Sequence, residues 1–135
     1  MITQKKIDDL AYEIIGGAIE VHKTIGPGLL ESVYEKCLIH ELTIRGLVLK
    51  SQMLVPVVYK GMEMHCDLRL DLLVEDQVIV ELKSVQTLLP IFDAQLLTYM
   101  KLLGKPKGIL LNFNCTNIVR EGQKTFVNKH YEALL

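Results

Sequence analysis

Three charged residues stand close together in the middle of the chain, on two segments predicted to be neighbouring strands. Asp71 ends an alternating segment, and Glu81 and Lys83 belong to the apolar segment that follows it. If the turn between the segments takes three residues, 75–77, Asp71 stands directly opposite Glu81, whereas a two-residue turn breaks that pairing. Lys83, two positions beyond Glu81, shares its face of the sheet. The sequence therefore predicts two carboxylates and one ammonium group on a single patch.

Two carboxylates on such a patch require a compensating cation. At about 4 Å apart they repel each other by roughly 4 kcal/mol at an effective dielectric constant of about 20. One interpretation makes Lys83 that cation, as a satisfied ion pair beside a sheet edge. The other is a divalent metal ion, because carboxylate oxygens, a backbone carbonyl and waters suit Mg²⁺ or Mn²⁺. The pattern of charges alone leaves both interpretations open.

A glutamine and a tyrosine follow these strands at helical spacing. Gln95 and Tyr99 are four residues apart, so they share one face of a predicted helix. An amide and a phenol there can hydrogen-bond a phosphate or a nucleic-acid backbone, although alone they would equally fit an ordinary half-exposed helix face. The buried stripe of this helix is predicted to be Leu96, Leu97, Met100 and Leu103.

The order of these residues resembles a known nuclease pattern. Asp71, Glu81-Leu-Lys83 and Gln95-Leu-Leu-Thr-Tyr99 are similar to the D…ExK…QxxxY pattern of RecB-type nucleases in the PD-(D/E)XK, restriction-endonuclease-like superfamily. Upstream, Gly28-Leu-Leu-Glu31-Ser-Val-Tyr34 resembles the GxxExxY signature of a family of small proteins assigned to that superfamily. The similarity covers residues 14–112, which is most of the chain.

The resemblance implies a metal centre. Asp71 and Glu81 would hold Mg²⁺ or Mn²⁺, with the backbone carbonyl of Leu82 as an additional ligand. Glu31 would approach from the second helix as a further ligand or water-holder. His22 is the candidate for the histidine that RecB-type enzymes often supply from the first helical region, although a histidine at a helix end also fits an imidazole that caps the helix dipole.

The resemblance also implies roles for the other polar residues. Lys83 would orient or help to deprotonate the attacking water and offset negative charge in the transition state. Gln95 and Tyr99 would steady the substrate strand or the region around Lys83. Tyr34 is interpreted differently, since three positions after Glu31 it is expected to pack the second helix against the sheet.

Two helices are predicted ahead of these strands. Thr3 fits the N-cap of a first helix over residues 4–23, and the Gly-Pro-Gly segment 26–28 breaks it. A second helix follows over residues 29–45, with Gly46 as its C-terminal cap. Its buried stripe is predicted to be Leu30, Val33, Cys37, Leu38 and Leu42.

Strands dominate the rest of the chain. Segments 47–59, 64–72 and 77–85 are predicted strands, with Pro56 marking an edge or a bulge. We expect a single domain of the α/β (α+β) class, with a mixed sheet flanked by helices, and the resemblance implies a restriction-endonuclease-like core. The other predicted elements are a turn at Lys60-Gly61, a helix over 91–103 behind Pro90, a buried strand over 108–113, a strand near Ile118-Val119 and a short helix near 128–134.

Composition excludes several classes of protein. Half of the residues are hydrophobic, and 15 basic residues stand against 16 acidic ones, so the chain is neither disordered nor a polybasic protein that binds nucleic acid through bulk charge. Any nucleic-acid contact must come from a local patch, for which Lys101, Lys105 and Lys107 are the candidates. Three widely spaced cysteines fit a reducing cytosol, and no segment is apolar enough to be a signal or a membrane span. We therefore expect a cytoplasmic protein with no membrane partner.

Two functions are compatible with these observations. The first is a Mg²⁺- or Mn²⁺-dependent nuclease that hydrolyses phosphodiester bonds through a metal-activated water, with nucleic acid, expected to be DNA, as its partner. The second is a catalytically silent module of the same fold that binds or regulates, for which a homodimer could form either through the strand near Pro56 or through the apolar surplus of the chain. We favour the nuclease because Asp71, Glu81, Lys83 and Gln95 are all present unsubstituted.

Overall fold

A five-stranded mixed sheet is the middle layer of the computed structural model, which describes residues 1–135. The strands are β1 (Leu49–Leu54), β2 (Val58–Tyr59), β3 (Met62–Glu63), β4 (Arg69–Val74), β5 (Val78–Lys83), β6 (Lys107–Asn112) and β7 (Gln123–Val127). The helices are α1 (Gln4–Ile25), α2 (Glu31–Ile44), α3 (Pro90–Leu103), α4 (Ile118–Glu121) and α5 (Lys129–Glu132), and none of them combines the length and apolar character needed to cross a bilayer. The sheet order is β1-β4-β5-β6-β7, with only β5 and β6 parallel, while β2 and β3 form a separate hairpin. The predicted mixed sheet with two helices ahead of it is confirmed.

The sheet carries α1 and α2 on one face and α3 on the other. Along β5, Val80 and Leu82 pack into the core under α1 and α2, whereas Ile79 packs against the α3 side. This alternation is the two-residue period of a strand that is buried on both faces. It assigns position 81 to the α3 face, so Glu81 belongs to the layer that also holds Tyr99.

The hairpin between β4 and β5 sets the register on which the acidic pair depends. Its ladder runs from Leu72↔Val80 to Val74↔Val78, which leaves three residues, 75–77, in the turn. Of the two turn lengths that the sequence left open, the three-residue one is present, so Gln77 belongs to the turn and not to the predicted strand 77–85. Continuing the same register by one position brings Asp71 opposite Glu81.

The buried stripe of α2 differs from the predicted one. Tyr34, Leu38 and Leu42 are buried, whereas Leu30 is 74% exposed and Val33 is also exposed. The prediction that Leu30 and Val33 are buried is wrong because α2 begins at Glu31 and not at residue 29. Leu30 is therefore the N-cap outside the helix, and Tyr34 takes the inward position in the first turns.

Tyr34 has the packing role that was expected of it. Its ring stacks on Phe113 with the ring centroids 4.5 Å apart. Its hydroxyl donates to the carbonyl oxygen of Gly26 (2.6 Å) and accepts from the backbone N–H of Leu29 (3.1 Å). These bonds satisfy a buried hydroxyl and fix the turn that leads into Glu31.

The middle of the chain contains less strand than predicted. Segment 47–59 divides into β1 and β2 around Pro56, and segment 64–72 joins the sheet only from Arg69 onwards. The predicted turn at Lys60-Gly61 is confirmed, with φ angles of 49° and 81°. All four strand residues of the hairpin that this turn closes are exposed, so no buried contact extends its pairing.

The predicted strand near Ile118-Val119 is wrong, because these residues begin α4. The side chain of Asn117 accepts a hydrogen bond from the backbone N–H of Arg120 (3.1 Å), which is an N-cap that starts a helical turn. The strand of this region is β7, whose polar residues suit an edge position and give no strong strand signal.

Candidate active site

The site lies where β4 and β5 stop exchanging backbone hydrogen bonds. Beyond the pair Leu72↔Val80, carboxylates take the place of the strand partners. The backbone N–H of Asp71 donates to Oε2 of Glu81 (2.7 Å), and the N–H of Leu82 donates to Oδ2 of Asp71 (2.8 Å). The predicted juxtaposition of Asp71 and Glu81 is therefore present, with each acid held by the other strand.

The strands part here because β4 changes its packing at Asp71. Leu72 packs in the core under α1 and α2, but Leu70 packs in the core on the α3 side, although residues two apart in a regular strand share a face. On the other side of β4, the ladder with β1 skips Gln52, whose φ of 52° lies in the left-handed region. Local irregularity in two adjacent strands thus frees Asp71 from the ladder.

The acidic pair, a buried Glu81 and a half-buried Asp71, has no cation in contact. Glu81 is only 5% exposed, and burial, followed by the charge of Asp71, raises the pKa of Glu81 to about 8. The charge of Lys83 opposes this rise. However, Lys83 takes part in none of the ion pairs within 4.0 Å. The satisfied ion pair with Lys83 is therefore not present in the structure.

The ammonium group of Lys83 lies over an aromatic ring, and Asn112 fixes the backbone just beyond Lys83. Its Nζ lies 4.5 Å from the ring centroid of Phe92 on α3, a cation–π distance. Beyond it, the side chain of Asn112 accepts from the backbone N–H of Val85 (3.1 Å) and donates to the carbonyl of Val85 (3.0 Å). Asn112 is buried and was not predicted; a polar residue that ends an apolar strand was its only sequence signal.

Gln95 and Tyr99 join the site from α3. The side-chain amide of Gln95 donates to the hydroxyl of Tyr99 (3.0 Å), and Tyr99 is buried rather than half-exposed. Burial, followed by the negative charge of Glu81, raises the pKa of Tyr99, and Asp71 adds to the effect. The Tyr99 phenol is therefore close enough to the acidic pair for their charges to affect it. A side chain on an ordinary solvent-facing side of the helix would not be.

Two further polar residues, Gln52 and Glu35, reach the site, and the sequence revealed neither of them. Nε2 of Gln52 lies 2.7 Å from Oε1 of Glu35 on α2 and 3.2 Å from Oδ1 of Asp71. Burial raises the pKa of Glu35, and the charges of Asp71 and Glu31 act in the same direction. A like-charge pair four residues apart, Glu31 and Glu35, was the available signal, because such pairs destabilise an isolated helix.

Glu31 and His22 make no hydrogen bond to the acidic pair. Glu31 is exposed in the first turn of α2, where its charge acts on Glu35, and the turn before it is joined to the end of β5 by the Ser84 hydroxyl, which donates to the carbonyl of Leu29. Nε2 of His22 lies 2.8 Å from the carbonyl oxygen of Cys115, so this nitrogen carries the proton and donates. The expectation that these two residues contribute metal ligands stays a prediction.

A family model matches most of this chain. The model of the PD-(D/E)XK nuclease superfamily matches residues 8–126, from the first turns of α1 to β7. The chain belongs to the PD-(D/E)XK nuclease superfamily. Neither a curated protein nor a solved structure matches it.

The residues of this PD-(D/E)XK domain fit a divalent cation by their donor chemistry. No three side chains among His, Cys, Asp and Glu converge as a ready-made ligand set. Asp71 and Glu81 nevertheless supply two hard carboxylates, and Mg²⁺ is often bound by one or two carboxylates with waters. Because the N–H and C=O of one strand residue point to the same side, the Leu82 carbonyl lies on the side of its N–H donor, towards Asp71.

The predicted lysine patch of this PD-(D/E)XK domain is mostly neutralised. Nζ of Lys105 lies 3.1 Å from Asp76, and Nζ of Lys107 lies 2.9 Å from Asp8. Both side chains are largely buried, at 19% and 13% exposure. Lys105 and Lys107 thus tie the turn after α3 to the β4–β5 turn and to α1, and only Lys101 remains exposed.

Proposed function

We propose that this chain is a nuclease that hydrolyses phosphodiester bonds of nucleic acid, DNA in the first instance, with Mg²⁺ or Mn²⁺ as its cofactor. The observation that carries the proposal is the Asp71–Glu81 pair, in which a buried and a half-buried carboxyl group lie between two strands with no cation in contact. Ionising both groups there costs stability unless a positive charge enters. Membership of a nuclease superfamily points to the same chemistry.

Asp71, Glu81 and the Leu82 carbonyl are the proposed metal-binding groups. Asp71 Oδ2 and Glu81 Oε2 each accept one backbone hydrogen bond, which orients both carboxylates and leaves lone pairs for a further partner. A divalent ion bound there would supply an activated water and an electrophile for the phosphate oxygen. The protein contributes the fixed, buried donors.

Lys83 is the proposed electrostatic partner of the substrate. The ring of Phe92 holds its ammonium group, and no acidic partner competes for it at contact distance. The ammonium is therefore available to orient the attacking water and to offset the negative charge that grows on the phosphate in the transition state.

Tyr99 and Gln95 are the proposed substrate-steadying pair. The Tyr99 oxygen accepts from the Gln95 amide, so the phenolic proton remains free to donate. The raised pKa of Tyr99 keeps that proton in place at neutral pH. A phosphate oxygen or the Lys83 region is the acceptor that we propose for it.

We also propose the finer assignment to the RecB-type QxxxY pattern and to the GxxExxY group. The Gln95–Tyr99 bond supports the first, because it makes one unit of the two motif residues. Tyr34 supports the second, because its hydroxyl closes the turn that begins the motif at Gly28. The Ser84 hydroxyl fastens this turn to the end of β5 by donating to the Leu29 carbonyl.

A cleavage assay with Mn²⁺ on single-stranded, duplex and flapped DNA and on RNA tests the proposal. We expect the wild type to cut at least one substrate and chelation to stop it. Lys83→Ala should abolish cleavage, whereas Lys6→Ala, which removes an exposed lysine of α1 without an ion-pair partner, should not. Cleavage that persists in Lys83→Ala would point to a contaminant, and no cleavage of any substrate would refute the proposal.

The silent homodimer alternative gains no support from the edge that it would use. β1 is an edge strand, but its backbone is left-handed at Gln52 and the chain reaches Pro56 two residues after the strand ends. Both features interrupt the row of N–H and C=O groups that a second strand needs.

A further inference from the structure

Gln52 bridges two carboxylates that stand on different elements. A primary amide carries two N–H donors, and the single nitrogen of Gln52 lies 2.7 Å from Glu35 Oε1 and 3.2 Å from Asp71 Oδ1. Glu35 belongs to α2 and Asp71 to β4. The amide therefore stands between two like charges and satisfies both.

The backbone of β1 is bent to bring this amide to the site. Gln52 has a φ of 52°, in the region that a residue with a side chain rarely adopts. The pairs Ser51↔Leu72 and Met53↔Leu70 flank it, and the pair of Gln52 with Asp71 is missing from the ladder. A strained residue in an otherwise paired strand requires a structural or functional reason.

Arg69 supports the bend from the partner strand. Its Nη1 donates to the backbone carbonyl of Gln52 (3.0 Å), while its Nε donates to Asp67 (2.9 Å). The carbonyl that the broken ladder would leave without a strand partner is thus satisfied. The distortion is held at both its backbone and its side chain.

The acid of α2 that this arrangement selects is Glu35 rather than Glu31. Glu35 is half-buried and joined to Asp71 through one amide, whereas Glu31, one turn earlier, is exposed and makes no hydrogen bond with its side chain. The carboxylate of Asp71 accepts from the backbone N–H of Leu82 at Oδ2 and from Gln52 at Oδ1, so both of its oxygens are oriented.

We propose that Glu35 is the third carboxylate of the site and that Gln52 is the positioning residue which couples it to Asp71. This inference rests on the proposed function, because its role is to complete the surroundings of the cation. Glu35 would accept hydrogen bonds from the waters of the bound ion. Groups that orient the ligands of a metal in this way commonly change its affinity by about 10- to 100-fold.

Calorimetric titration of the metal-free protein with Mn²⁺, without nucleic acid, tests the inference. Glu35→Gln keeps the shape and removes the charge, Glu31→Gln tests the competing assignment one turn away, and Glu132→Gln, at an exposed glutamate of α5, is the matched control. Gln52→Gly removes the amide but retains a residue that adopts positive φ freely. Gln77→Ala, in the β4–β5 turn, is its control because that amide makes no side-chain hydrogen bond.

We expect Glu35→Gln and Gln52→Gly to weaken Mn²⁺ binding by about tenfold or more, and both controls to stay within about twofold of the wild type. The melting temperature of metal-free Glu35→Gln should not fall, which separates a role at the metal from a role in folding. Wild-type affinity in Glu35→Gln, or an equal loss in Glu31→Gln, would overturn this inference and leave the nuclease proposal standing. A wild type that does not bind Mn²⁺ would overturn both. If Gln52→Gly fails to fold, Glu35→Gln and Glu31→Gln still decide.

Discussion

The two halves of the β4–β5 hairpin share one register but differ in how their strands are hydrogen-bonded. In the apolar half, residues 72–80, every strand residue is buried, apolar and paired across the ladder. In the acidic half, Asp71 with residues 81–83, the ladder is replaced by backbone N–H groups that donate to carboxylates. The regular half supplies burial energy and fixes the register, and the irregular half uses that register to hold two like charges together.

This contrast explains why the acids can stay where they are. Two buried carboxylates destabilise a fold, so they persist only where the surrounding structure determines their position. The apolar half fixes the position of the two acids, because a one-residue slip in register would move all of its apolar side chains to the wrong faces of the sheet. We therefore expect changes in the two halves to have different signatures, one in stability and one in cation binding.

Removing Asp71 should have the largest effect on function. Asp71→Ala takes away one carboxylate and the acceptor of the Leu82 N–H, so we expect cleavage to fall by at least about 100-fold. Melting curves with and without Mn²⁺ provide the second measurement. The wild type should gain stability with rising Mn²⁺ by mass action, and the variant should show no such shift. A variant that is stabilised as strongly as the wild type would show that the cation binds elsewhere.

Truncating the apolar half should have the largest effect on stability. Ile79 is fully buried against the α3 side, so Ile79→Ala should lower the free energy of unfolding by about 2–5 kcal/mol in denaturant titrations. Ile91→Ala is the matched control, because Ile91 is 65% exposed and should change stability by less than about 0.5 kcal/mol. If the variant remains folded, its Mn²⁺ affinity should stay close to that of the wild type. A small loss of stability together with a lost cation site would contradict the division between the halves.

The pH dependence of the metal-free protein should expose the strain of the acidic half. The native pKa of Glu81 is raised to about 8, above its usual range, so the folded protein keeps a proton that the unfolded chain releases. Stability from this group is therefore greatest at low pH and falls as pH rises from about 4.5 towards 8. Glu81→Gln should remove this slope and stabilise the metal-free protein by about 2 kcal/mol at pH 8, measured by denaturant titration.

Two controls give this pH experiment its meaning. Glu75→Gln removes an acid from the turn of the same hairpin, whose carboxylate accepts from the backbone N–H of Val48, and should leave the slope in place. Saturating Mn²⁺ should stabilise the wild type at pH 8 but not Glu81→Gln. A wild type whose metal-free stability is flat between pH 5 and 8 would contradict the raised pKa.

The sequence was informative wherever short-range pattern determines structure. The alternating segment before Asp71 and the apolar run after the turn were enough to predict two neighbouring strands, and Asp71 then stands opposite Glu81 once the turn takes three residues. Pro90 and Gly104 bounded α3, and Gly104 indeed adopts the left-handed cap, with φ of 66°. In these cases local geometry and burial favour the same arrangement, so tertiary contacts did not change it.

The parts that the sequence did not reveal depend on contacts between distant segments. Gln52 reaches the site only because a strand residue adopts positive φ, which no local preference of glutamine predicts. Glu35 gains its place through that amide, from another element. The charges of Lys105 and Lys107 suggested a phosphate-binding patch, but their partners Asp76 and Asp8 lie far away in sequence.

The smallest of these effects should come from Tyr99, which belongs to both kinds of region. Its ring is part of the apolar core on the α3 side, while its hydroxyl faces the field of the acids and accepts from Gln95. Tyr99→Phe keeps the ring, so stability should change by about 1 kcal/mol or less, as for one hydrogen bond. Cleavage should slow by about tenfold, because one donor to the substrate is lost.

Tyr12→Phe, at a ring that is 81% exposed, is the matched control and should alter neither stability nor cleavage. If Tyr99→Phe instead unfolds the protein while the remaining folded fraction cuts at the wild-type rate, the hydroxyl serves packing alone. Tyr99 then belongs only to the apolar core on the α3 side and not to the acidic site.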